Sequence, residues 1–470
     1  MKQIDTILKE GDTTCPQGQV ISSVCHNEAS AWSCLQNNNN NEYNLDLSSG
    51  NSNNNNKYNV YAVVPVESID IENLVLMAEE DCWSNKHSSW EANKYHYTME
   101  EWIGNLTDNL KNGTYEIGQG ICFVKKKPKP REIFAAQYPD RTVHHMVAKY
   151  MLAVSEAVHI ANGNVSYGNR RGVSAKHACR KLQEYMRKHP YGYVIGLDVK
   201  SFFMSIDKET AWQVFCRYEK KYRPSGYTEE MRSFLMAIIH KLILHDPSLN
   251  CQRRSPIDDW NLFPNDKSLF FVKGLPIGNF YSQIIANLLL EVVCEALRGV
   301  DMVEFVDDFA AVVSQKTDIR EVINNFFNAL ATINLQCNLK KIYVQPVCHG
   351  IKWCGYFIYP NRMYASNRIV AGAKRKIYTL IHDTPSIETA KRLLSSFNSY
   401  LGLFKDCAAY NIQKKLLEDI LKSPLSKFVY FQNKNGRFIC KLKAPYKSYN
   451  FVGDMDAYFN NISIKKQKKC

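Results

Sequence analysis

Residues 69–81, IDIENLVLMAEED, and residues 98–115, TMEEWIGNLTDNLKNGTY, place apolar side chains three and four positions apart. That spacing predicts two helices, with Thr98 as N-cap of the second and Gly113 near its C-terminal stop. ICFVKKKPKPREIFAAQYPDRTVHHMVAKY, residues 121–150, predicts a strand, a basic hairpin interrupted by prolines, a second strand and a helix. SYGNRRGVSAKHACRKLQEYMRKHP predicts a basic turn entering a helix. In YGYVIGLDVKSFFMSID, β-branched and aromatic residues lead up to Asp198, with a turn or short helix after it. Helical stretches over 228–244 and 281–297 flank the loop KGLPIGN. VEFVDDFAAVV, residues 303–313, sets two apolar runs either side of Asp307 and Asp308, and a helix is expected over 318–333. Strands near 341–347 and 351–358 form a hairpin in this reading, and 371–422 is mostly helical. Antiparallel strands with interposed helices predict an α+β architecture rather than a doubly wound parallel sheet. No internal repeat of fixed period is present.

Residues 36–59 break the pattern, because about half of them are asparagine. Asparagine favours turns over helix or strand, so the segment reads as a loop or linker, followed by a short strand candidate, VYAVVPV, ending at Val66.

Composition adds a partner class. The chain has 470 residues, 45% of them hydrophobic, enough for two or three domains with a sizeable core. Its formal net charge of +13 comes from Lys and Arg spread along the whole length, which suits a polyanion, with nucleic acid the leading candidate. The 15 cysteines stand singly, without a CxxC pair or zinc-ligand spacing, as expected of free thiols in a reducing cytoplasm. MKQIDTILKEGDTT is too polar for a signal peptide and no run of about 18 apolar residues occurs, so a soluble intracellular protein without a membrane partner is expected.

Two adjacent carboxylates at a half-buried hairpin tip cost free energy unless a cation compensates them. A divalent metal is the obvious cation. Asp198, just past the end of its own apolar strand, meets the Asp307 and Asp308 tip if the two strands are neighbours. Three converging carboxylates suit two magnesium ions, hard cations that take oxygen ligands. Two such ions about 4 Å apart clamp the attacking and leaving oxygens of an in-line phosphoryl displacement.

The ordered set of a strand with Asp198, a loop with Gly274 and Gly278 opening a helix, and then the DD hairpin resembles the palm of reverse transcriptases. The resemblance implies a right-hand polymerase fold of α+β class: fingers, a palm of antiparallel sheet plus helices, and a small helical thumb. The implied divisions are a 1–66 Asn-rich extension, 67–190 fingers, 191–360 palm with primer-grip hairpin, and 361–470 thumb with a basic C-terminal tail. LDVKSFF resembles the first palm motif, which implies Asp198 as metal ligand and Phe203 as the aromatic steric gate against a 2′-hydroxyl. FVDD resembles the YxDD box with Phe305 in place of tyrosine, which implies Asp307 and Asp308 as further ligands. Mg2+ is the implied ion, two per site, with Mn2+ as substitute. CNLKKIYVQPV looks like the fourth motif, whose lysine protonates the pyrophosphate; Lys341 is the best match and Lys340 a close competitor. KPKPREIFAAQYPDRTVHH resembles the fingers, which implies that Arg131 and Lys129 contact the incoming dNTP. IKWCGYFIYP resembles the primer-grip hairpin.

GLPIGNFYSQ marks a subfamily. Related group II intron and retron enzymes carry QGxxxSP here, whereas this chain has IGxxxSQ, which resembles the reverse transcriptases of diversity-generating retroelements. SYGNRRG and FNSYLGLFKDCAAYN, residues 397–411, agree with that resemblance. It implies a bacterial or phage-encoded cytoplasmic RNA-directed DNA polymerase that copies a template-repeat RNA into adenine-mutagenised cDNA for mutagenic retrohoming. Its implied partners are the template RNA and a small, basic, helical, ring-forming accessory protein. Ile277, Gly278 and Gln283 are the implied contacts near the templating base, with Gly278 allowing template or nucleotide close to the backbone. Simple packing is the alternative role for Ile277. Residues of about 29–66 resemble a translated template repeat; a low-complexity extension is the other reading. The rival functions are a retron or phage-defence reverse transcriptase and, less favoured, a catalytically inactive RNA-binding scaffold.

Overall fold

The computed structural model describes residues 70–446, apart from residues 85, 88, 128, 435 and 436. The Asn-rich extension, its closing strand and the basic tail lie outside the described residues. The chain divides into two compact units, one up to Cys354 together with residues 358–361, the other comprising residues 355–357 and those from Arg362 onwards.

The first unit opens with α1 (Ile71–Ser84), α2 (Trp90–Tyr97) and α3 (Met99–Lys111). Thr98 precedes α3 as expected but does not cap it. Its hydroxyl instead donates to the Lys94 carbonyl at 3.0 Å, closing the end of α2. Strand β1 (Gly120–Lys125) pairs antiparallel with β2 (Arg131–Ala135), so the basic stretch between them is the hairpin loop. α4 (Tyr138–Ala161), α5 (Ala175–Lys188), β3 (Tyr193–Asp198), the single-turn α6 (Phe202–Ser205), α7 (Lys208–Lys221) and α8 (Glu229–Leu244) follow. The short β4 (Cys251–Arg253) joins β1 in parallel and leads to the single-turn α9 (Ile257–Trp260). α10 (Phe280–Ala296) comes next, then β5 (Asp301–Phe305), β6 (Asp308–Val313), α11 (Lys316–Thr332) and β7 (Tyr343–Pro346).

The central sheet has the order β5-β6-β3-β7, antiparallel throughout. All of β6 and nearly all of β3 are buried, which explains their near-continuous apolar runs. α10 is apolar almost all round because it is the central helix, packed against α4, α7 and α11. The expected hairpin between residues 341–347 and 351–358 does not form: β7 pairs with β3 instead. Local apolar pattern marks strands but does not choose their partners.

β8 (Ile351–Trp353) ends the first unit, β9 (Tyr356–Ile358) straddles the division, and β10 (Met363–Ala365) begins the second. The second unit packs α12 (Asn367–Ile381), α13 (Ile387–Phe404) and α14 (Tyr410–Lys422) around Leu393, Phe397, Phe404 and Leu416. It also contains an antiparallel hairpin that the helical reading of this region did not anticipate, β11 (Val429–Lys434) with β12 (Arg437–Leu442). Asn398, in the FNSYLG stretch, holds this hairpin to α13: its side chain donates to the Cys440 carbonyl and accepts from the Cys440 amide, both at 3.0 Å.

Gly278 has φ +122°, and a Cβ there would stand 2.5 Å from the Phe134 carbonyl oxygen in β2. Gly278→Ala is therefore expected to lower the unfolding free energy by about 2 kcal/mol or more. Gly104→Ala, in α3 with open space around the new methyl, is expected to raise it by roughly 0.5–1 kcal/mol. Chemical denaturation of the two variants beside the parent protein checks both signs.

Candidate active site

Neighbouring strands bring the three aspartates together. In the β3–β6 register Asp198 stands opposite Asp308, and the Val199 amide donates to the Asp307 main-chain carbonyl at 3.2 Å. β5 and β6 are joined by the two-residue turn Val306-Asp307, in which Val306 adopts φ +63°, an unusual conformation for a β-branched residue. Gly168 packs directly on that turn, since a Cβ there would lie 2.6 Å from the Val306 amide nitrogen. Asp198, Asp307 and Asp308 are 3%, 7% and 5% exposed. Asp198 and Asp307 line a cleft of about 720 Å³ together with Phe203, Ile277, Lys129 and Arg131.

Both oxygens of Asp198 are held. Lys341 donates from Nζ to Oδ1 at 2.6 Å, and Asn338 donates from Nδ2 to Oδ2 at 3.1 Å. The Asn338 amide also donates to the Asp198 carbonyl at 2.8 Å, so this residue fixes strand end and carboxylate together. Sequence reasoning missed Asn338; its signal was its place directly before LKK in CNLKK. Lys340 lines the cleft, whereas Lys341 reaches the carboxylate.

Asp308 is the uncompensated member. Burial, and then the charges of Asp307 and Asp198, push its carboxyl well above the usual carboxylate range, with Lys341 acting in the opposite direction. Its Oδ2 is buried without a hydrogen-bond partner. Among the described residues no group of three or more acidic, His or Cys side chains stands in an arrangement that could hold a metal ion as it is. The donor set nevertheless fits a hard divalent cation: it is all oxygen, it carries excess negative charge, and one buried oxygen lacks any donor.

The glycine loop positions Phe203. The Leu275 amide donates to the Phe203 carbonyl at 2.9 Å, and a Cβ on Gly274 would stand 2.5 Å from that same oxygen. Phe203 follows Phe202 edge to face, with centroids 5.4 Å apart, on the short α6. The other end of the loop is tied to β2, where the Phe134 amide donates to the Ile277 carbonyl at 2.8 Å. Within the fold, Phe134 of β2 approaches the Gly278 backbone. Ile277 is buried and lines the cleft, whereas Gly278 and Gln283 are not part of that lining.

SYGNRRG lies behind the aspartate turn. The Glu304 amide donates to Val165 and the Tyr167 amide donates to Glu304, at 2.8 and 2.9 Å, while Asn287 Nδ2 donates to the Gly168 carbonyl at 2.7 Å. Arg170 secures the loop through the Ser166 carbonyl at 2.7 Å and through Glu156. Glu304 is buried, and burial pushes its carboxyl well above the usual range. No helix among the described residues is long and apolar enough to cross a membrane.

No curated protein matches this chain. Among solved structures, apo telomerase from Candida Tropicalis is similar at 11% identity, over 69% of this chain and 67% of that one, with a TM-score of 0.41. A form truncated from the C-terminal domain gives 12% identity, 58% and 60% coverage and the same score. Telomerase from Candida albicans, in complex with a TWJ fragment of telomeric RNA, gives 10%, 68% and 58%, with a TM-score of 0.39. Residues 124–358, half of the chain, match the family described as reverse transcriptase (RNA-dependent DNA polymerase). That span contains all three aspartates, the glycine loop and Lys341, and the chain belongs to the reverse transcriptases, RNA-directed DNA polymerases that work with divalent metal ions.

Proposed function

We propose that this polymerase serves a diversity-generating retroelement, copying a template-repeat RNA into cDNA mutagenised at adenines for targeted protein diversification. The observation that carries the polymerase site is the meeting of Asp198, Asp307 and Asp308 at one end of the central sheet, at the cleft that Phe203 lines. The subfamily reading is supported by IGxxxSQ and by SYGNRRG, which backs the aspartate turn. In this reading residues 67–190 are fingers, 191–360 palm and 361–470 thumb and tail, with 1–66 an Asn-rich extension whose residues from about 29 to 66 are encoded by a template repeat. The enzyme works in a bacterial cytoplasm, as a bacterial or phage-encoded protein, with a small basic ring-forming helical accessory protein.

Asp198, Asp307 and Asp308 would hold two Mg2+ ions, with Mn2+ as substitute. When bound, these supply the charge that polarises the transferring phosphoryl group and stabilises its leaving oxygen. Arg131 and Lys129 bind the triphosphate of the incoming dNTP in the same cleft, and Phe203 presents a ring where a 2′-hydroxyl would intrude. Lys341 carries the proton for the departing pyrophosphate, with Lys340 second to it. Ile277 packs beside the nucleotide, and Gly278, in the loop, and Gln283, in the first turn of α10, act on the templating base. Binding of RNA by so basic a chain is steeply salt dependent.

Asp307→Ala and Asp308→Ala are expected to lower metal-dependent dNTP incorporation by roughly 1000-fold; equal activity in parent and variants would sink the assignment. Asp308 has a raised pKa in the folded protein, so the folded metal-free state keeps a proton that the unfolded chain releases. Its contribution to metal-free stability is thus favourable below the unfolded value near 4 and is lost as pH rises from there. Asp308→Asn is accordingly expected to stabilise the metal-free protein at neutral pH by about 1 kcal/mol while removing activity, read by thermal unfolding with and without Mg2+. Sequencing of cDNA made from the element's own template RNA with accessory protein, Mg2+ and dNTPs tests the biology. Substitutions concentrated at template adenines are expected; faithful cDNA would point to the retron or defence reading.

A further inference from the structure

Residues 254–272, between β4 and the glycine loop, have no role in the site described so far, yet Leu262, Phe263, Pro264, Asp266 and Lys267 line the same cleft as Asp198 and Phe203. Its projecting part has little core of its own. Leu262 is 47% exposed and Phe271 is 68% exposed, with residues 264–267 exposed between them. A surface arch of this kind needs outside support to present a fixed face.

That support comes from the strands that carry Arg131. At the near end, the Val124 amide donates to Ser255 Oγ at 2.8 Å, the Arg254 amide donates to the Cys122 carbonyl at 2.9 Å, and Lys126 pairs with Asp259 at 2.7 Å. Arg253 lies over the Phe270 ring, 3.7 Å from its centroid. At the far foot the carboxylate involved is Glu132 of β2. Ser268 Oγ donates to its Oε1 at 2.6 Å and the Leu269 amide donates to its Oε2 at 2.9 Å. Both oxygens are thus spent on the arch, and the side chain is 3% exposed.

A carboxylate buried this far costs free energy that an apolar residue of similar volume would not. Burial indeed pushes its pKa up against the pull of these two hydrogen bonds. What the carboxylate gains is orientation, because two bonds to successive residues fix the arch in one place relative to β2.

We propose that residues 254–273 form a wall of the deoxynucleoside triphosphate site and that Glu132 is the positioning residue that latches this wall to the strand bearing Arg131. The inference rests on the cleft being the nucleotide site. Glu132 borders the cleft with both oxygens taken by Ser268 and Leu269, and it acts by setting the distance between the cation at position 131 and the face formed by Phe263 and Lys267. Its loss therefore weakens nucleotide binding without removing the groups that carry out the transfer.

The test is steady-state single-nucleotide incorporation by the full-length protein with template RNA, accessory protein and Mg2+. Glu132→Ala is expected to raise KM for dNTP about tenfold with kcat within about threefold, and to leave RNA affinity unchanged. Glu132→Gln keeps an acceptor for the Leu269 amide and a donor for Ser268 Oγ, and is expected to restore KM to within about twofold. If Glu132→Ala does not fold, Ser268→Ala removes one bond from the arch side and is expected to raise KM about threefold. Lys267→Ala, at an exposed position, is expected to raise KM in the same direction. An unchanged KM in Glu132→Ala or Ser268→Ala overturns the latch, as does a parallel fall of kcat and RNA affinity. Failure of the parent protein to incorporate dNTP, or full activity in Asp307→Ala, would instead overturn the reading of the cleft.

Discussion

Strands β3 and β6 run side by side with Asp198 opposite Asp308, and this register concentrates like charge at the end of a sheet whose remaining residues are almost all buried and apolar. Apolar burial holds the strands together while electrostatics opposes the arrangement at their ends. The surrounding structure resists that opposition. Lys341 and Asn338 take the two oxygens of Asp198, the SYGNRRG loop braces the turn from behind, and Val306 accepts a strained backbone so that Asp307 and Asp308 emerge from adjacent positions. Such strain persists only where neighbours over-determine it, which is what Gly168 and the paired bonds to Glu304 accomplish.

A second theme is contact between backbones. Gly274 lies against the carbonyl of Phe203, Gly278 against that of Phe134, and Gly168 against the amide of Val306. Each glycine removes a side chain where two elements approach within hydrogen-bonding reach. Two of these contacts join the glycine loop to α6 and to β2. The ring of Phe203 and the strand carrying Arg131 are therefore positioned by one short segment. A candidate metal centre, a candidate sugar gate and a candidate phosphate contact come from distant parts of the chain, yet share one scaffold.

The second unit follows the same economy on a smaller scale. Three amphipathic helices build its core around Leu393, Phe397 and Phe404, and a single asparagine, Asn398, matches both backbone groups of Cys440. The FNSYLG stretch is thus explained by a fold requirement: its phenylalanine fills the core and its asparagine recognises a hairpin edge.

Much of this was legible in the chain because periodicity and charge are local. The helices near 71–84, 229–244 and 280–296, the strand ending at Asp198 and the turn at Asp307 all follow from spacing and from residue type. The three aspartates were legible as well, since carboxylates at the ends of apolar runs cost free energy and so announce a cation. Pairing was not legible, because hydrogen bonds between strands depend on which surfaces meet; β7 went to β3, and residues 429–442, beyond the expected helical stretch, closed into a hairpin. Nor did sequence alone show what each glycine was for, because a close approach involves a second residue far along the chain. The chain by itself determined the class of fold, and its charge pattern pointed to carboxylate chemistry and a polyanionic partner. Tertiary structure decided that Asn338 and Lys341 hold Asp198, that Phe134 approaches Gly278, and that Glu132 ties down the arch over residues 254–273, since each is a distance between residues that only folding brings within reach.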